Sequence, residues 1–392
     1  MGALDGLKVL EAGLLVQGPQ AAATLRDWGA QVIKLELPDF GDQARWILRP
    51  DGDPRPPYFI ASNRGKRSVT ADLRRPGGRD IFLRLAEWAD VVITNFTPGT
   101  MASWGLGYDD VSARNPAIIY AAGSTFGPIG PDAGREGADL AAQAAGGLIA
   151  TTGAEGSDPT PVGATIADHI ASQNLVAGIL AALLARGRTG RGQMVETSLL
   201  GGQIWAQASE YTSYLLTGRV PGRANHGNPL IAGIYSIFPT ADGWIAVVGV
   251  VGQARVAFFE VIGRPDLADS FASRLYHDAE KDRLFSELAP VFRQQSTDHW
   301  CELLGRAGIR HAPVRDYAQV ADDEAVWSNG YLIRAADVGG DQDVVGTPVR
   351  FSATPAQAAP SAPELGQHTE EVLVEMGYSW DQIEQFRLTG AI

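Results

Sequence analysis

The first forty residues carry the feature that most restricts the fold, because two apolar strands there flank a glycine-bounded turn and a helix. Residues 8–11 (KVLE) predict a short strand, and residues 13–18 begin and end with glycine. Residues 20–28, rich in alanine and leucine, predict a helix that ends at Gly29, a residue type that accepts a positive φ. Residues 31–36 predict the next strand. This order is a βαβ unit, which indicates a parallel sheet covered by helices.

The same alternation continues along the chain. Strands are predicted at residues 68–71, 91–93 and 118–122, and a helix at 77–89. Residues 139–150 and 167–185 have helical spacing, and the second of these is apolar nearly all round, which predicts a central, buried helix. The fold class is therefore α/β.

The pattern of predicted elements changes after Arg223. Residues 234–238 and 244–251 alternate like paired strands around a turn at 241–243, and helices are predicted at 255–262 and 281–292. Residues 225–325 thus indicate a second, smaller α/β domain, in agreement with a length of 392 residues. An Ala- and Pro-rich connector at 352–363 leads to terminal helices at 369–376 and 380–389.

Charge and cysteine content exclude several classes of function. The 45 acidic residues outnumber the 32 basic ones, which disfavours nucleic acid and anionic membranes as partners. Neither a basic leader nor an apolar run of ~20 residues is present, so a cytoplasmic location is expected. The one cysteine, Cys301, forms no internal disulfide and reads as a small buried residue more readily than as a nucleophile beside His299.

Two loops are candidates for an anion. The turn at 13–18 lies where a helix N-terminus can meet a phosphate, but it has neither the GxGxxG pattern nor the Lys-Ser/Thr of a P-loop, so NAD is disfavoured. Arg64, Lys66 and Arg67 form a basic cluster that suits either an anion such as a nucleotide phosphate or a solvated loop.

Asp168 is the candidate for chemistry, since it stands at the start of the most hydrophobic helix. A carboxylate there is either a helix cap or a reactive anion, and both interpretations are open at this point. His169 projects to another side of the helix, so an Asp-His dyad is not implied. The chain has no HExxH or CxxC motif, and no metal site is expected.

Taken together, these segments resemble the family III CoA-transferases, which include formyl-CoA:oxalate CoA-transferase, carnitine CoA-transferase and α-methylacyl-CoA racemase. The order and spacing of the segments make the resemblance specific. They are residues 4–11 (LDGLKVLE), 29–36 (GAQVIKLE), 41–42 (GD), 63–68 (NRGKRS), 95–99 (NFTPG), 127–131 (GPIGP), 189–193 (TGRGQ) and 363–369 (PELGQHT).

The resemblance implies an enzyme that moves CoA from an acyl-CoA donor to a carboxylic acid. It places the nucleophile at Asp168, which would form an aspartyl anhydride and then an aspartyl-CoA thioester. Gln17 and the loop at Gly227 are then expected at the reacting end. The implied contacts with CoA, the only cofactor expected, are Val16, Gln17, Arg64, Lys66, Arg67, Asn95 and Phe96.

Two departures from the family pattern matter. Leu37 stands where many relatives carry an arginine against the adenosine and phosphates. Ala138 replaces the histidine of the racemases, so the alternative of an acyl-CoA racemase, epimerase or lyase is disfavoured. Its small side chain leads to the hypothesis of room for a bulkier acyl group. A non-catalytic CoA- or NAD-binding protein is the third alternative.

The family fold implies a Rossmann-like large domain over residues 1–210, a linker over 211–228 and a small α/β domain over 229–325. Residues 326–392 would form a return linker and C-terminal helices that complete the large domain. The family resemblance also implies an interlocked homodimer.

Overall fold

The computed structural model describes residues 1–47, 56–231, 233–271, 278–334, 336, 342–359 and 361–392. Parts of the predicted return linker therefore lie outside the described residues. By their contacts the residues divide into two compact units. Unit 1 comprises residues 1–146, 163–206 and 323–392, and unit 2 comprises residues 147–162 and 207–322.

The elements are numbered in chain order within the described residues. The strands are β1 (Lys8–Glu11), β2 (Gln31–Glu36), β3 (Arg67–Thr70), β4 (Val91–Thr94), β5 (Ile119–Ser124), β6 (Gln193–Ser198), β7 (Ile234–Pro239), β8 (Trp244–Val250), β9 (His311–Pro313), β10 (Leu332–Ile333) and β11 (Val344–Val345). The helices are α1 (Gln17–Asp27), α2 (Pro57–Asn63), α3 (Pro76–Trp88), α4 (Thr100–Ser103), α5 (Tyr108–Arg114), α6 (Asp139–Ala145), α7 (Leu148–Thr151), α8 (Ile166–Thr189), α9 (Leu199–Ala206), α10 (Ala208–Thr217), α11 (Gln253–Val261), α12 (Leu267–Ser270), α13 (Asp278–Phe292), α14 (Thr297–Arg306), α15 (Tyr317–Ala321), α16 (Glu324–Ser328), α17 (Thr369–Glu375) and α18 (Trp380–Leu388).

Unit 1 is built on a parallel sheet of six strands in the order β3-β2-β1-β4-β5-β6. This is the doubly wound Rossmann order, in which the strand sequence reverses direction between β1 and β4. The predicted α/β class and parallel sheet are confirmed. Ligands in such sheets bind at the carboxyl ends of the strands beside that reversal.

Strand alternation divides the apolar residues of unit 1 between two cores. Leu10, Ile33 and Val92 face a core closed by α3 and by the terminal helices α17 and α18. The preceding residues in each strand, Val9 and Val32 among them, face the other core, which α1 and α8 cover. Because successive side chains in a strand point to opposite faces, continuous apolar strands bury both faces of this sheet.

Helix α8 is the long helix predicted over 167–185, and its inner face is buried against α1, α9, β5 and β6. Among the described helices it alone is long and apolar enough to cross a membrane, a test that the core helix of a soluble protein also passes. It ends at Gly190, whose φ of 68° closes the helix in the TGRGQ turn. The cytoplasmic location stays a prediction.

Unit 2 has its own antiparallel sheet, β7-β8-β9, in which β7 and β8 form the predicted hairpin. Its core is rich in aromatic residues, including Phe238, Phe292 and Trp300. Residues 147–162, placed by sequence in the large domain, group with this unit. The Arg223 guanidinium donates to carbonyls of this segment, among them Ala150 O at 3.0 Å. Helix α10 covers part of the segment predicted as a linker.

Candidate active site

The turn between β1 and α1 is held in shape by side chains from two other segments. Asn95, directly after β4, accepts a hydrogen bond from Leu14 N at 2.7 Å and donates to Leu14 O at 2.9 Å. Asp42 accepts from Leu15 N at 2.9 Å. These bonds support the left-handed conformation of Leu15, whose φ of 62° is costly for a residue with a side chain.

A fully buried charge network lies beneath this turn. Lys34 Nζ is 3.1 Å from Glu11 Oε1 and 2.9 Å from Asp42 Oδ2, and Lys66 Nζ is 3.0 Å from Glu11 Oε2. Glu11 also accepts from Gly13 N at 2.7 Å, and Lys34 donates to Gly13 O at 3.0 Å. The network therefore fixes both backbone polar groups of Gly13, the first residue of the turn.

Gln17 begins α1 directly after the turn, and only 3% of it is exposed. Its Nε2 is buried and has no hydrogen-bond partner among the described residues. The side chain lies across the end of β5, where a methyl group on Gly123 would collide with its amide. A buried amide donor without a partner is costly, so this group is available to a bound ligand.

Asp168 is the third residue of α8 and is half-buried. It does not cap its own helix: Asp139 Oδ1 accepts from Ala167 N at 2.7 Å and more weakly from Asp168 N at 3.4 Å. The helix-cap interpretation of Asp168 is therefore wrong. Within the described chain the Asp168 carboxylate accepts no hydrogen bond. It is left as a free acidic group at the positive end of a long helix.

The surroundings of Asp168 favour its protonated form. Burial, as the larger cause, and the nearby Asp139 carboxylate together raise its pKa to about 7. A carboxylate with this pKa is more basic, and so more nucleophilic, than an exposed one.

Gln17 and Asp168 come from distant parts of the chain but lie on packed helices. Ser172, one helical turn after Asp168, donates its hydroxyl to Gln17 O at 2.9 Å. Residues four apart share one helix face, so Asp168 lies on the face of α8 that meets the start of α1. The structure thus brings Gln17 and Asp168, two of the three features predicted for the reacting end, onto facing parts of two packed helices.

Two cavities open at the carboxyl ends of the strands. The Thr94 cavity, of 470 Å³, is lined by residues at the carboxyl ends of β4, β5 and β6 and just beyond them, among them Thr94, Phe96, Gly123, Glu196 and Thr197. The Leu37 cavity, of 330 Å³, is lined by residues at or just after the ends of β1, β2 and β3, among them Leu14, Leu37 and Phe40, together with Phe96 after β4 and Trp104 after α4. Both have the size of small-molecule sites, and Phe96 lines both.

The Thr94 cavity has a distinctive polarity. The hydroxyls of Thr94 and Thr197 are buried and have no partner among the described residues. Its ionisable lining includes the carboxylates Asp109, Asp110 and Glu196 and no lysine, arginine or histidine. Such a lining suits an uncharged ligand with amide or hydroxyl groups rather than a phosphate.

The predicted basic cluster is engaged within the chain. Arg64 pairs with the buried Asp27. Lys66 is buried, and besides Glu11 it donates to Pro19 O at 2.9 Å and Asn63 Oδ1 at 2.8 Å. Arg67 pairs with Glu375 at 2.8 Å. None of the three cations lines the two cavities, so their predicted contact with CoA stays a prediction.

The other predicted ligand contacts lie around the turn. Val16 is buried as the residue preceding α1, and Asn95 shapes the turn as described above. Phe96 is half-buried and packs edge-on against Trp104, with ring centroids 5.5 Å apart. Asn95 therefore acts first on the chain's own backbone, a role that the sequence did not predict.

Gly227 and Cys301 belong to unit 2. Gly227 has a φ of 90° and packs against Tyr235 O, so a side chain at this position would be strained and would collide. Its loop is held by His226, which stacks on Phe285 with centroids 3.6 Å apart. Cys301 packs against the aromatic core, and burial raises its thiol pKa, as expected for a residue with a structural role.

Sequence patterns alone missed Asp139, Glu11 and Lys34. A signal existed for the last two, because charged residues inside otherwise apolar parallel strands require buried partners. Asp139 gave no such signal, since its contact with α8 crosses 28 residues of chain. Across the described ranges no group of three or more His, Cys, Asp or Glu residues is placed to hold a metal ion.

Comparisons with known proteins agree on one family. The family model described as CoA-transferase family III matches residues 4–369. The chain is 31% identical over 396 residues to a succinyl-CoA:glutarate CoA-transferase of Mus musculus, covering 100% of this chain and 91% of that protein. It is 32% identical over 370 residues to an acetyl-CoA:oxalate CoA-transferase of Acetobacter aceti, covering 93% and 94%.

A solved structure gives the same result for the fold. The crystal structure of a CAIB/BAIF family protein from Brucella suis superposes with a TM-score of 0.85 at 33% identity. The match covers 96% of this chain and 99% of that one.

Proposed function

Because the chain belongs to CoA-transferase family III, we propose that it transfers CoA from an acyl-CoA donor to a carboxylic acid through the carboxylate of Asp168. The observation that carries the mechanism is the state of this side chain. It is half-buried, it accepts no hydrogen bond in the described chain, and its pKa is raised to about 7. These are the properties of an activated carboxylate nucleophile.

The chemistry proceeds through two kinds of acyl intermediate. The Asp168 carboxylate attacks the thioester carbon of the donor, and the C–S bond breaks. CoA leaves as a thiolate, and the acyl group stays on Asp168 as a mixed anhydride. The thiolate then attacks the Asp168 carbonyl carbon, which releases the donor acid and leaves an aspartyl-CoA thioester. The acceptor carboxylate attacks this thioester, and the same steps in reverse yield the new acyl-CoA and free Asp168.

We assign Gln17 a supporting role in these steps. Each attack on a carbonyl carbon develops negative charge on oxygen, and a fixed N–H donor stabilises that charge without reorganisation. The buried, unpartnered Nε2 of Gln17 supplies such a donor on the helix that packs against the Asp168 helix. The charge network and Asn95 hold the preceding turn, and so determine where this amide lies.

The two cavities support a path for the CoA molecule. We place the adenine in the Leu37 cavity, where Phe40, Phe96 and Trp104 offer aromatic faces and Leu37 an apolar one. The uncharged pantetheine arm, with its two amides, suits the Thr94 cavity. Phe96 lines both cavities. Gly123 lines the Thr94 cavity and lies against the Gln17 side chain.

The α-carbon chemistry of the racemases has less support. Ala138, the residue before α6, carries no proton-transferring group, so a two-base exchange at this position has no second base.

Exposed apolar side chains in each unit support a homodimer, which we propose as the working form. Leu184 and Trp205 in unit 1 are 71% and 74% exposed, and Leu215 and Leu216 in unit 2 are 78% and 81% exposed. Large apolar residues at this exposure mark surfaces that associate. Sedimentation velocity on the purified chain measures the state directly.

The function is tested by incubating the protein with succinyl-CoA alone and then with a panel of acids, among them glutarate, mesaconate, oxalate and bulky aryl acids. We expect a CoA adduct on the Asp168 peptide by intact-mass and peptide analysis, and its consumption by the productive acids. Deuterium entering the α-carbon of an acyl-CoA without an adduct would contradict transfer. Turnover that favours oxalate-sized acids would contradict the idea that Ala138 makes room for bulk.

Replacing Gln17 by alanine is expected to lower kcat by a factor on the order of 10² while the KM for acyl-CoA changes little, since the amide acts on developing charge. Steady-state kinetics check this. Gln20→Ala, one turn along α1, is the matched control and should keep near-normal kcat. Equal losses of kcat in both variants would show that the substitutions disturb α1 as a whole, and would contradict the role given to the Gln17 amide.

A further inference from the structure

Asp139 makes contacts that no sequence motif suggested. It is the first residue of α6, and only 9% of it is exposed. One carboxylate oxygen accepts from Ala167 N at 2.7 Å and from Asp168 N at 3.4 Å, both in the first turn of α8. The other oxygen accepts from Gln143 Nε2 at 2.6 Å. Both oxygens are thus engaged, and the carboxylate is fixed beside Asp168.

We propose that Asp139 is a positioning residue for CoA transfer: by capping α8 in place of Asp168, it leaves the nucleophile unbonded and holds a like charge beside it. This proposal rests on the proposed function, because it concerns the reactivity of Asp168 in that reaction. Helix N-terminal amides normally attract the nearest carboxylate of their own chain segment. Here a residue from α6 satisfies Ala167 N, so Asp168 is free to point elsewhere.

The arrangement affects reactivity through two physical effects. A carboxylate that accepts amide hydrogen bonds becomes a weaker base and a weaker nucleophile, and Asp139 takes this role away from Asp168. A second carboxylate nearby disfavours the anion of Asp168, which adds to the effect of burial on its pKa. An anion held at higher free energy gains more when it forms a bond to the thioester carbon.

Asp139 is the charged group that acts on Asp168. The titratable residues on the elements packed against α8 are Arg26 and Asp27 of α1, Asp139 of α6, Tyr120 of β5 and Glu196 of β6. On α8 itself they are His169, Arg186 and Arg188. Of all these groups, only Asp139 contributes to the raised pKa of Asp168.

The test is the pH profile of kcat/KM for Asp139→Asn. Asparagine keeps an oxygen that accepts from Ala167 N but removes the charge, so the cap persists while the repulsion is lost. We expect the acid limb, which reports ionisation of Asp168, to move to lower pH by on the order of one unit. Asp139→Ser is a second neutral variant that can cap the helix. Unlike asparagine, serine places no amide nitrogen against the Gln143 amide, and the same shift of the acid limb to lower pH is expected.

Asp381→Asn is the matched control, since it changes an exposed first-turn aspartate of α18 by the same charge. Its acid limb should coincide with that of the unmodified protein. An unmoved limb in a folded, active Asp139→Asn or Asp139→Ser protein would overturn the proposal. Loss of activity at every pH together with a lower Tm would also overturn it, by showing a structural role only. Retained transfer by Asp168→Ala would instead overturn the proposed function.

Discussion

Asp168→Ala is expected to lower kcat for CoA transfer by a factor on the order of 10⁴ or more, because the variant has no carboxylate at this position to form the anhydride and the CoA thioester. Binding of CoA should remain within about twofold of normal, since the proposed nucleotide and pantetheine cavities do not include Asp168. Steady-state kinetics and calorimetric titration with CoA measure the two effects separately. The CoA adduct should disappear from the same variant.

Two further variants separate chemistry from shape. Asp168→Asn keeps the size of the side chain and removes the nucleophile, so it should not transfer CoA. Asp168→Glu keeps the carboxylate but moves it by ~1 Å or more, and it should also be inactive because attack on the thioester carbon requires a narrow geometry. Substantial turnover in Asp168→Ala would refute the covalent mechanism. Full activity in Asp168→Glu would show that the reaction does not require the carboxylate to lie within the narrow geometry of direct attack.

Folding stability provides an independent check on these variants. The folded-state pKa of Asp168, about 7, lies above the ordinary aspartate value of 3.8, so the native chain holds this proton more tightly than the unfolded chain. The stabilisation from this group is full below pH ~4 and is lost as pH rises through about 7. Asp168→Asn should therefore be at least as stable as the unmodified protein at pH 8. Loss of activity in that variant then reflects chemistry, not unfolding.

Glu11→Ala is expected to destabilise the protein by about 3–5 kcal/mol, because it leaves two buried ammonium groups without their shared partner. Lys66 has no second carboxylate within ion-pair distance in the described chain, and burial already lowers its pKa to about 8. Lys34 retains Asp42 at 2.9 Å. Urea denaturation monitored by tryptophan fluorescence measures the loss.

The first control makes the same substitution at an exposed site, and a second variant removes one of the two ammonium groups that pair with Glu11. Glu302 pairs with Arg306 on the exposed surface of α14, and Glu302→Ala should cost no more than about 1 kcal/mol. Lys66→Met should cost less than Glu11→Ala, because Glu11 keeps Lys34 as its partner. Equal losses from Glu11→Ala and Glu302→Ala would contradict the idea that the buried network supports the turn.

Local patterns were sufficient for the elements of the large sheet. Strands β1 and β2 were predicted with their observed bounds, and α8 begins one residue before the predicted start and ends four residues after the predicted end. Gly29, with a φ of 111°, ends its helix as expected. These predictions hold because period-2 and helical apolar spacing, together with glycine, act over a few residues. Helices α9 and α10 were missed for the opposite reason, since their apolar faces are largely exposed and carry no clear periodicity.

The sequence by itself determined the α/β class, the glycine turn and the position of Asp168 at the start of an apolar helix, because each depends on neighbours a few residues away. Only the tertiary structure decided what these charges do. Asp139 caps the helix in place of Asp168, and Lys66 is turned inward to Glu11 although its loop resembles an anion site. Ion pairs and hydrogen bonds join groups that the fold brings within about 3 Å, and their energy depends on burial, which spacing along the chain does not encode.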